Sequence, residues 1–357
     1  MRSSVYFYKD RPLFGLDIGL NSIKVMQVEP KKGLNFDVVG YGKASYEESW
    51  INKGEITNFE GLASAIKKMF ESSLTGSITT KRVAFSIPAT HTFSRIITLP
   101  KEVNDKDTTD AVLTEIEQYL PLPLSELYTD YTIIDSSNNE RRVLAVASQK
   151  KIIDSYMQLA DILGLEVIAV EPTTSASNRL FNLTDQHKVP SVLIDFGPNS
   201  TDITVFDNNL VVTGTITGGG EHYTNAIKSA LNVTDQEAHT IKTKYGLNRS
   251  KKQTEIKLAL KPYTEELVKE IKRMIRYYEE RVNDQQKKIG QVVTLGGGSN
   301  IPGLTDYLTE LLRLPVHSCD PWSTIRFENA QPPAPGEQSL YITAAGLSLI
   351  DPKEPLR

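Results

Sequence analysis

Apolar and polar positions change period repeatedly along this chain, and each change marks an element. Leu13 to Leu16 is apolar, Asp17 to Ser22 is small and polar, and Ile23, Val25 and Val28 resume, which predicts strand, tight turn and strand. Asn35 to Val39 predicts a third strand within Leu13 to Gly42. Leu62, Ile66, Met69 and Phe70 share one face of a helix near 58–70, and Arg82 to Ile87 is a buried-type strand closed by Pro88. Residues 89–165 read as a small α+β module: strand Phe93–Leu99, helix Asp107–Leu120 stopped by Pro121, strands Tyr131–Ile134 and Arg142–Ala147 around a turn at 136–139, and helix Lys150–Leu163 capped by Gly164.

Beyond it, Glu166 to Val170 is a strand leading into Glu171-Pro172-Thr173 and a helix to about Phe181, and 182–188 is a polar linker. Ser191 to Phe206 then repeats the opening layout of apolar strand, Asp-x-Gly, short polar residues and apolar strand. This internal repeat predicts two similar α/β lobes facing each other. Leu210 to Ile216 is a strand that runs into Gly218-Gly219-Gly220 and a helix from about Glu221. Residues 234–285 are helical and charged; Pro262 is expected to break them, with Leu267, Ile271, Met274, Tyr278 and Val282 on one face beyond it. A strand ending at Leu295 leads into Gly296-Gly297-Gly298-Ser299 and a helix to Leu312, and the last helix falls near 338–350. Residues 1–12 read as an extension, and the polar tail after Asp351 as mobile.

Composition narrows the function classes. With 357 residues, 39% of them hydrophobic, the chain has material for two or three domains, and its net charge of −4 argues against nucleic acid as a partner. The single cysteine, Cys319, excludes an internal disulfide framework and fits a reducing compartment. No apolar run has transmembrane length, the start lacks a signal-peptide core, and no polybasic patch is visible. The five histidines have no metal-ligand spacing, and no Walker loop, GxSxG turn or Cys–His pair is present.

The first Asp-x-Gly hairpin has the parts needed to hold nucleotide phosphates. Gly19 allows close backbone approach, Asn21 and Ser22 offer short donors, Lys24 is a point charge, and Asp17 suits a hydrated Mg²⁺. Alone, it equally fits an ordinary glycine hairpin. Together with the second hairpin and the Gly296 turn, in that order, it resembles the actin, sugar-kinase and heat-shock-chaperone ATPase superfamily. Gly-Leu-Asp-Ile-Gly-x-Asn-Ser-x-Lys from Gly15, Glu117 to Leu124, Leu295 to Ser299 and Ala344-Ala345-Gly346-Leu347 narrow the resemblance to the PilM family of type IV pilus assembly, over about 12–350.

That resemblance implies an actin-like two-lobed α/β fold with duplicated lobes. The first lobe would take 1–88, completed by 166–188 and the C-terminal helix; the inserted subdomain shared with FtsA, 89–165; the second lobe, 189–225 completed by 286–337; and a helical subdomain, 226–285. It implies ATP and Mg²⁺ in the cleft. Asp17, Gly19, Asn21, Ser22 and Lys24 resemble the first phosphate motif, and Asp195, Gly197, Asn199, Ser200 and Thr201 the second, with Asp17 and Asp195 facing Mg²⁺ through water. Gly218 and Gly219 would line the cleft, Gly296, Gly297, Gly298 and Ser299 would cradle adenosine, and Glu270 and Arg273 would touch ribose and base. Pro198 removes one amide donor from the second loop. Glu171 resembles a water-positioning carboxylate, and equally suits a helix start; Glu270 and Arg273, at i and i+3, equally form a surface pair.

The resemblance further implies a cytoplasmic scaffold, peripheral at the inner face of the membrane. It would bind the N-terminal cytoplasmic peptide of a PilN-like single-span protein between first lobe and inserted module, with Arg95, Glu117, Tyr119, Pro121 and Leu122 as groove residues. Motor ATPases are further expected partners, self-association is open, and ATP turnover is expected to be slow or absent. An FtsA-like filament protein would be expected to end in an amphipathic membrane helix, which Asp351 to Arg357 does not offer. A small-molecule kinase would need a carboxylate base that no residue announces.

Overall fold

The computed structural model describes residues 12–31, 36–100, 102–104, 106–136, 140–184, 189–281 and 288–351. The expected extension before Pro12, the tip of the 136–139 turn, most of the 182–188 linker, Val282 and the tail after Asp351 lie outside the described residues.

The first sheet begins as a meander of β1 (Phe14–Ile18), β2 (Ser22–Pro30) and β3 (Phe36–Ser45). A small hairpin follows, β4 (Ile51–Asn52) and β5 (Glu55–Ile56), then α1 (Phe59–Ser72), β6 (Leu74–Gly76) and β7 (Arg82–Ile87). α1 starts where the Asn58 side chain accepts the Gly61 amide, and it buries Leu62, Ala63, Ile66 and Met69. The inserted segment holds β8 (Thr92–Pro100), α2 (Thr108–Glu117), β9 (Leu127–Ser136) and β10 (Glu140–Gln149). Then come α3 (Lys150–Leu163), β11 (Glu166–Pro172) and α4 (Thr173–Thr184).

The second sheet opens with another meander, β12 (Ser191–Phe196), β13 (Ser200–Asp207) and β14 (Asn209–Thr217). Helices α5 (Gly220–Leu231), α6 (Asp235–Lys244) and α7 (Gln253–Arg281) follow, α6 begun by a capping box between Thr234 and Glu237. The chain ends with β15 (Gln291–Leu295), α8 (Leu304–Leu312), β16 (Val316–Ser318), β17 (Ile325–Arg326) and α9 (Ile342–Ser348).

The two large sheets repeat one topology. In the first, β3-β2-β1-β7-β11 lie side by side, and in the second, β14-β13-β12-β15-β16. In both, the meander is antiparallel and the next two strands are parallel. This is the duplicated actin-like architecture expected from the repeat. α4 and α9 lie between the sheets, where Leu180, Phe181, Ile342, Ala344 and Ala345 share a core with Met26 and Val28 of one sheet and Leu193 and Val293 of the other. The backbones there are nearly in contact: a Cβ on Gly15 would lie 2.1 Å from Ala344 O, and one on Gly346 would lie 2.1 Å from Ala176 O.

Four expectations change. The sequence pattern groups α3 with the inserted module, but its buried stripe of Ile152, Tyr156, Leu159 and Ala160 joins the first sheet and α1; the module's own core is built from β8, β9, β10 and α2. The return to the first lobe was placed after 337, yet β17 already pairs with β3, and buried Asp37 accepts from the Glu328 amide at 2.8 Å. Pro262 does not break the helix. α7 runs 29 residues straight through it. Pro262 lacks the amide that would bond the Leu258 carbonyl, and Leu258 lies on the exposed side of the helix at 65% exposure, while Ile256, Leu260, Leu267, Ile271, Met274 and Tyr278 bury the opposite stripe. α2 stops at Glu117, short of Leu120, because the approach to Pro121 disfavours helical backbone.

Candidate functional site

The first hairpin closes on itself: the Gly19 amide donates to Ser22 O at 2.9 Å. Register places Asp17 opposite Lys24, and the buried pair meets at 3.2 Å. Lys24 also donates to Ser22 O at 3.4 Å. β7, parallel to β1, sets Ser86 beside Asp17, and its hydroxyl donates to the carboxylate at 2.7 Å. Tyr46 braces the turn from outside: its amide donates to Asn21 O at 3.1 Å, its hydroxyl to Gly19 O, and its ring stacks on Trp50.

The second hairpin copies the first. The Gly197 amide donates to Ser200 O at 3.0 Å, and a serine again supports the aspartate, Ser177 of α4 donating to Asp195 at 2.9 Å. The Gly218–Gly220 turn folds over it. Gly218 N donates to Asn199 O, Thr201 Oγ1 donates to Gly218 O at 2.7 Å, and Gly220 N donates to Gly197 O. A Cβ on Gly219 would lie 2.3 Å from Gly197 O, so only glycine fits. The Pro198 carbonyl accepts the Glu221 amide at 2.9 Å, so the residue that costs the loop one donor also caps α5. Lys242 of α6 is buried against this turn, donating to Gly220 O at 2.8 Å and to Thr224 Oγ1 at 2.7 Å, and desolvation lowers its pKa.

The third turn meets the second hairpin. Gly296 has φ +74°, and a Cβ there would fall 2.4 Å from Asp195 Oδ1. Gly298 packs on Phe196, Gly297 faces Leu340, and Ser299 donates to Gly296 O at 2.7 Å. Electrostatics link the two hairpins across the lobes. Burial pushes the Asp195 pKa up to about 6, with the Asp17 charge raising it further and Lys24 lowering it. Asp202, paired with Asp195 in register, is pushed up to about 7 by burial and by the Asp195 charge, against a hydrogen bond from Thr215.

The surroundings of the other expected residues are these. Glu270 and Arg273 bond each other, Arg273 Nε donating at 2.9 Å, and Glu270 lies over Gly214 of β14. Gly214 is four residues before Gly218, about 13 Å along a strand. The α7 residues beside the Gly218 turn are Tyr263 and Glu266, lining a small hollow with Thr201 and Thr217. Glu171 gives both carboxylate oxygens to Arg179, at 2.7 and 2.8 Å, and Arg179 also bonds Gly346 O. On the inserted module the Arg95 guanidinium stacks 3.5 Å over the exposed Tyr119 ring, Glu117 and Pro121 are exposed nearby, and Leu122 packs on the module's core.

Sequence reading missed Ser86, Tyr46, Ser177, Asp202, Lys242, Tyr263 and Glu266. Asp202 had a signal, since it falls within the repeated hairpin on the strand facing Asp195. The others reach the site through tertiary packing and carry no local mark. The residues present fit a magnesium nucleotide: Gly219, Gly296 and Gly298 have no room for a Cβ, Lys24 supplies a point charge, and burial raises the pKa of the carboxylates Asp195 and Asp202, which a cation would offset. Among the described residues no group of three or more His, Cys, Asp or Glu side chains could hold an ion directly.

The chain matches the family model described as "Type IV pilus assembly protein PilM" over residues 15–351. A curated relative, cell division protein FtsA of Bacillus subtilis (strain 168), is 25% identical over 258 residues; the match takes 65% of this chain and 57% of that protein's length. A solved "PilM-PilN type IV pilus biogenesis complex" aligns with a TM-score of 0.80 at 20% identity, over 97% of this chain and 99% of that one. MreB5 of Spiroplasma citri bound to AMPPNP aligns with a TM-score of 0.51 at 12% identity, over 94% and 95%. The fold is thus one in which nucleotide-bound structures are known.

Proposed function

The chain belongs to the type IV pilus assembly PilM family, and from that membership we propose that it is a cytoplasmic ATP-binding scaffold docking the N-terminal cytoplasmic peptide of a PilN-like membrane protein. The observation that carries this is the fold's agreement, over nearly the whole chain, with a protein solved as a PilM–PilN complex. Among the described residues no helix is long and apolar enough to cross a membrane, so attachment to the inner face would come through the partner. Asp17, Lys24, Asp195 and Asp202 would hold Mg²⁺-ATP between the hairpins, with Thr201 and the Gly218 and Gly296 turns around it. Mg²⁺-ATP would supply a cation between Asp17 and Asp195 and phosphates for Lys24, and it would favour one angle between the lobes only by its differential affinity for it. We assign Glu171 to clamping Arg179 onto α9, and turnover is accordingly slow. The domain limits follow the sheets, with α3 and 325–329 given to the first lobe.

The test is a calorimetric titration of the full chain with that peptide, with and without Mg²⁺-ATP. Saturable one-to-one binding is expected, and the difference between conditions is the coupling free energy. Lys24→Ala should weaken ATP about tenfold or more, as loss of a charge-assisted contact does, and unchanged ATP affinity rejects the phosphate assignment. Absence of peptide binding in both conditions rejects the scaffold reading, and polymerisation assays would then decide for an FtsA-like filament.

A further inference from the structure

The inserted module carries a cavity that the nucleotide cleft and the Arg95–Tyr119 end of α2 leave unused. It measures about 230 Å³ and lies between α2 and β9, walled by Val112, Leu113 and Ile116 on the helix and by Thr129 and Tyr131 on the strand. That volume suits one or two apolar side chains and falls below the usual small-molecule range. Its floor is Ala145 of β10, whose small side chain leaves the space open.

Two further features surround this cavity. The sheet order is β8-β10-β9, so the outer edge of the ten-residue β9 has no strand partner among the described residues. Ile133 on it is 40% exposed. Natural edge strands of this length are normally blunted or covered. Within the stretch that forms α2 and β9, Asp107 to Asp135, every charged residue is acidic; the bases beside it stand at its two ends, Arg141 donating to Thr108 and Lys150 lying over the Tyr128 ring. Asp110 is exposed on α2 and Glu126 ahead of β9, and Asp130 lines the cavity, where partial desolvation raises its pKa.

We infer that the β9 edge and its cavity dock an extended basic peptide segment. Its main chain pairs with β9, one apolar side chain fills the cavity on the α2 face, and the alternate lysines or arginines fall on the opposite face, that of Asp130. The acidic wall excludes nucleic acid and anionic membrane as occupants. The inference stands on the module alone and does not depend on the peptide groove proposed above or on bound nucleotide.

The probe is a blocked nonapeptide alternating lysine with valine around a central leucine, titrated by fluorescence anisotropy into the full chain at low salt. Saturable binding is expected, weakened about tenfold by moderate salt as charged encounters are. Asp130→Lys, on an exposed strand, should weaken it similarly, and Leu113→Arg should block the cavity. Hydrogen exchange should show new amide protection along β9. A glutamate-for-lysine peptide should not bind. Lack of saturation at millimolar peptide, equal binding by the Asp130→Lys chain, or protection gained away from β9 each overturns the inference.

Discussion

Replacing Asp202 by asparagine tests whether the cleft holds a carboxylate at a cost to stability. The folded pKa is about 7 against an ordinary 3.8, raised chiefly by burial. Each tenfold in proton affinity is worth about 1.36 kcal/mol, so the rise amounts to about 4 kcal/mol as an upper bound. The folded state binds this proton more tightly than the unfolded chain. This group therefore costs nothing below pH 3.8, and the loss accumulates as pH rises to about 7. Asparagine keeps the volume and still accepts the Thr215 hydroxyl, but it cannot ionise. The variant should be about 2–4 kcal/mol more stable at pH 8, and distinctly less so at pH 5. Urea unfolding followed by circular dichroism, without nucleotide or Mg²⁺, measures both. An equal gain at both pH values, or none, refutes the reasoning. A cation in the cleft would offset the same burial cost, so Mg²⁺-ATP should raise the melting temperature of the parent chain more than that of the variant.

Other outcomes follow from the same geometry. Glu266→Ala should lower nucleotide affinity about tenfold, in the range of a lost polar contact, while Glu270→Ala leaves it nearly unchanged; the reverse order in a fluorescent-nucleotide assay would restore the ribose role of Glu270. Glu171→Gln loses the two-pronged pair with Arg179 and should cost about 2–4 kcal/mol of stability with turnover unchanged; lost turnover at full stability would make Glu171 catalytic. Gly346→Ala forces a Cβ against Ala176 O and should cost about 3 kcal/mol or more, read as a drop in melting temperature. An unchanged melting temperature would mean that α9 and α4 are not in backbone contact.

Features carried by short-range chemistry could be read directly from the chain. The strand Arg82–Ile87 and the helix Lys150–Leu163 have the limits their pattern predicts, and Gly164 ends that helix with φ +63°. The two Asp-x-Gly hairpins were legible because a turn needs its glycine and small polar residues within a few positions, and their repetition implied two alike lobes. Tertiary structure alone decided what each buried face packs against. The stripe on α3 says that a face is buried, and only packing chose the first sheet over the inserted module. The spacing of Glu270 and Arg273 is the same whether they meet a ligand or each other, and only the pitch of α7 against β14 sets Glu270 over Gly214 and Glu266 beside the Gly218 turn. Ser86, Ser177 and Tyr46 reach the hairpins through strand register, an inter-lobe helix and a loop. Hydrophobic periodicity is a property of one segment, whereas a site is a relation between segments far apart in the chain, set by how their buried faces fit together.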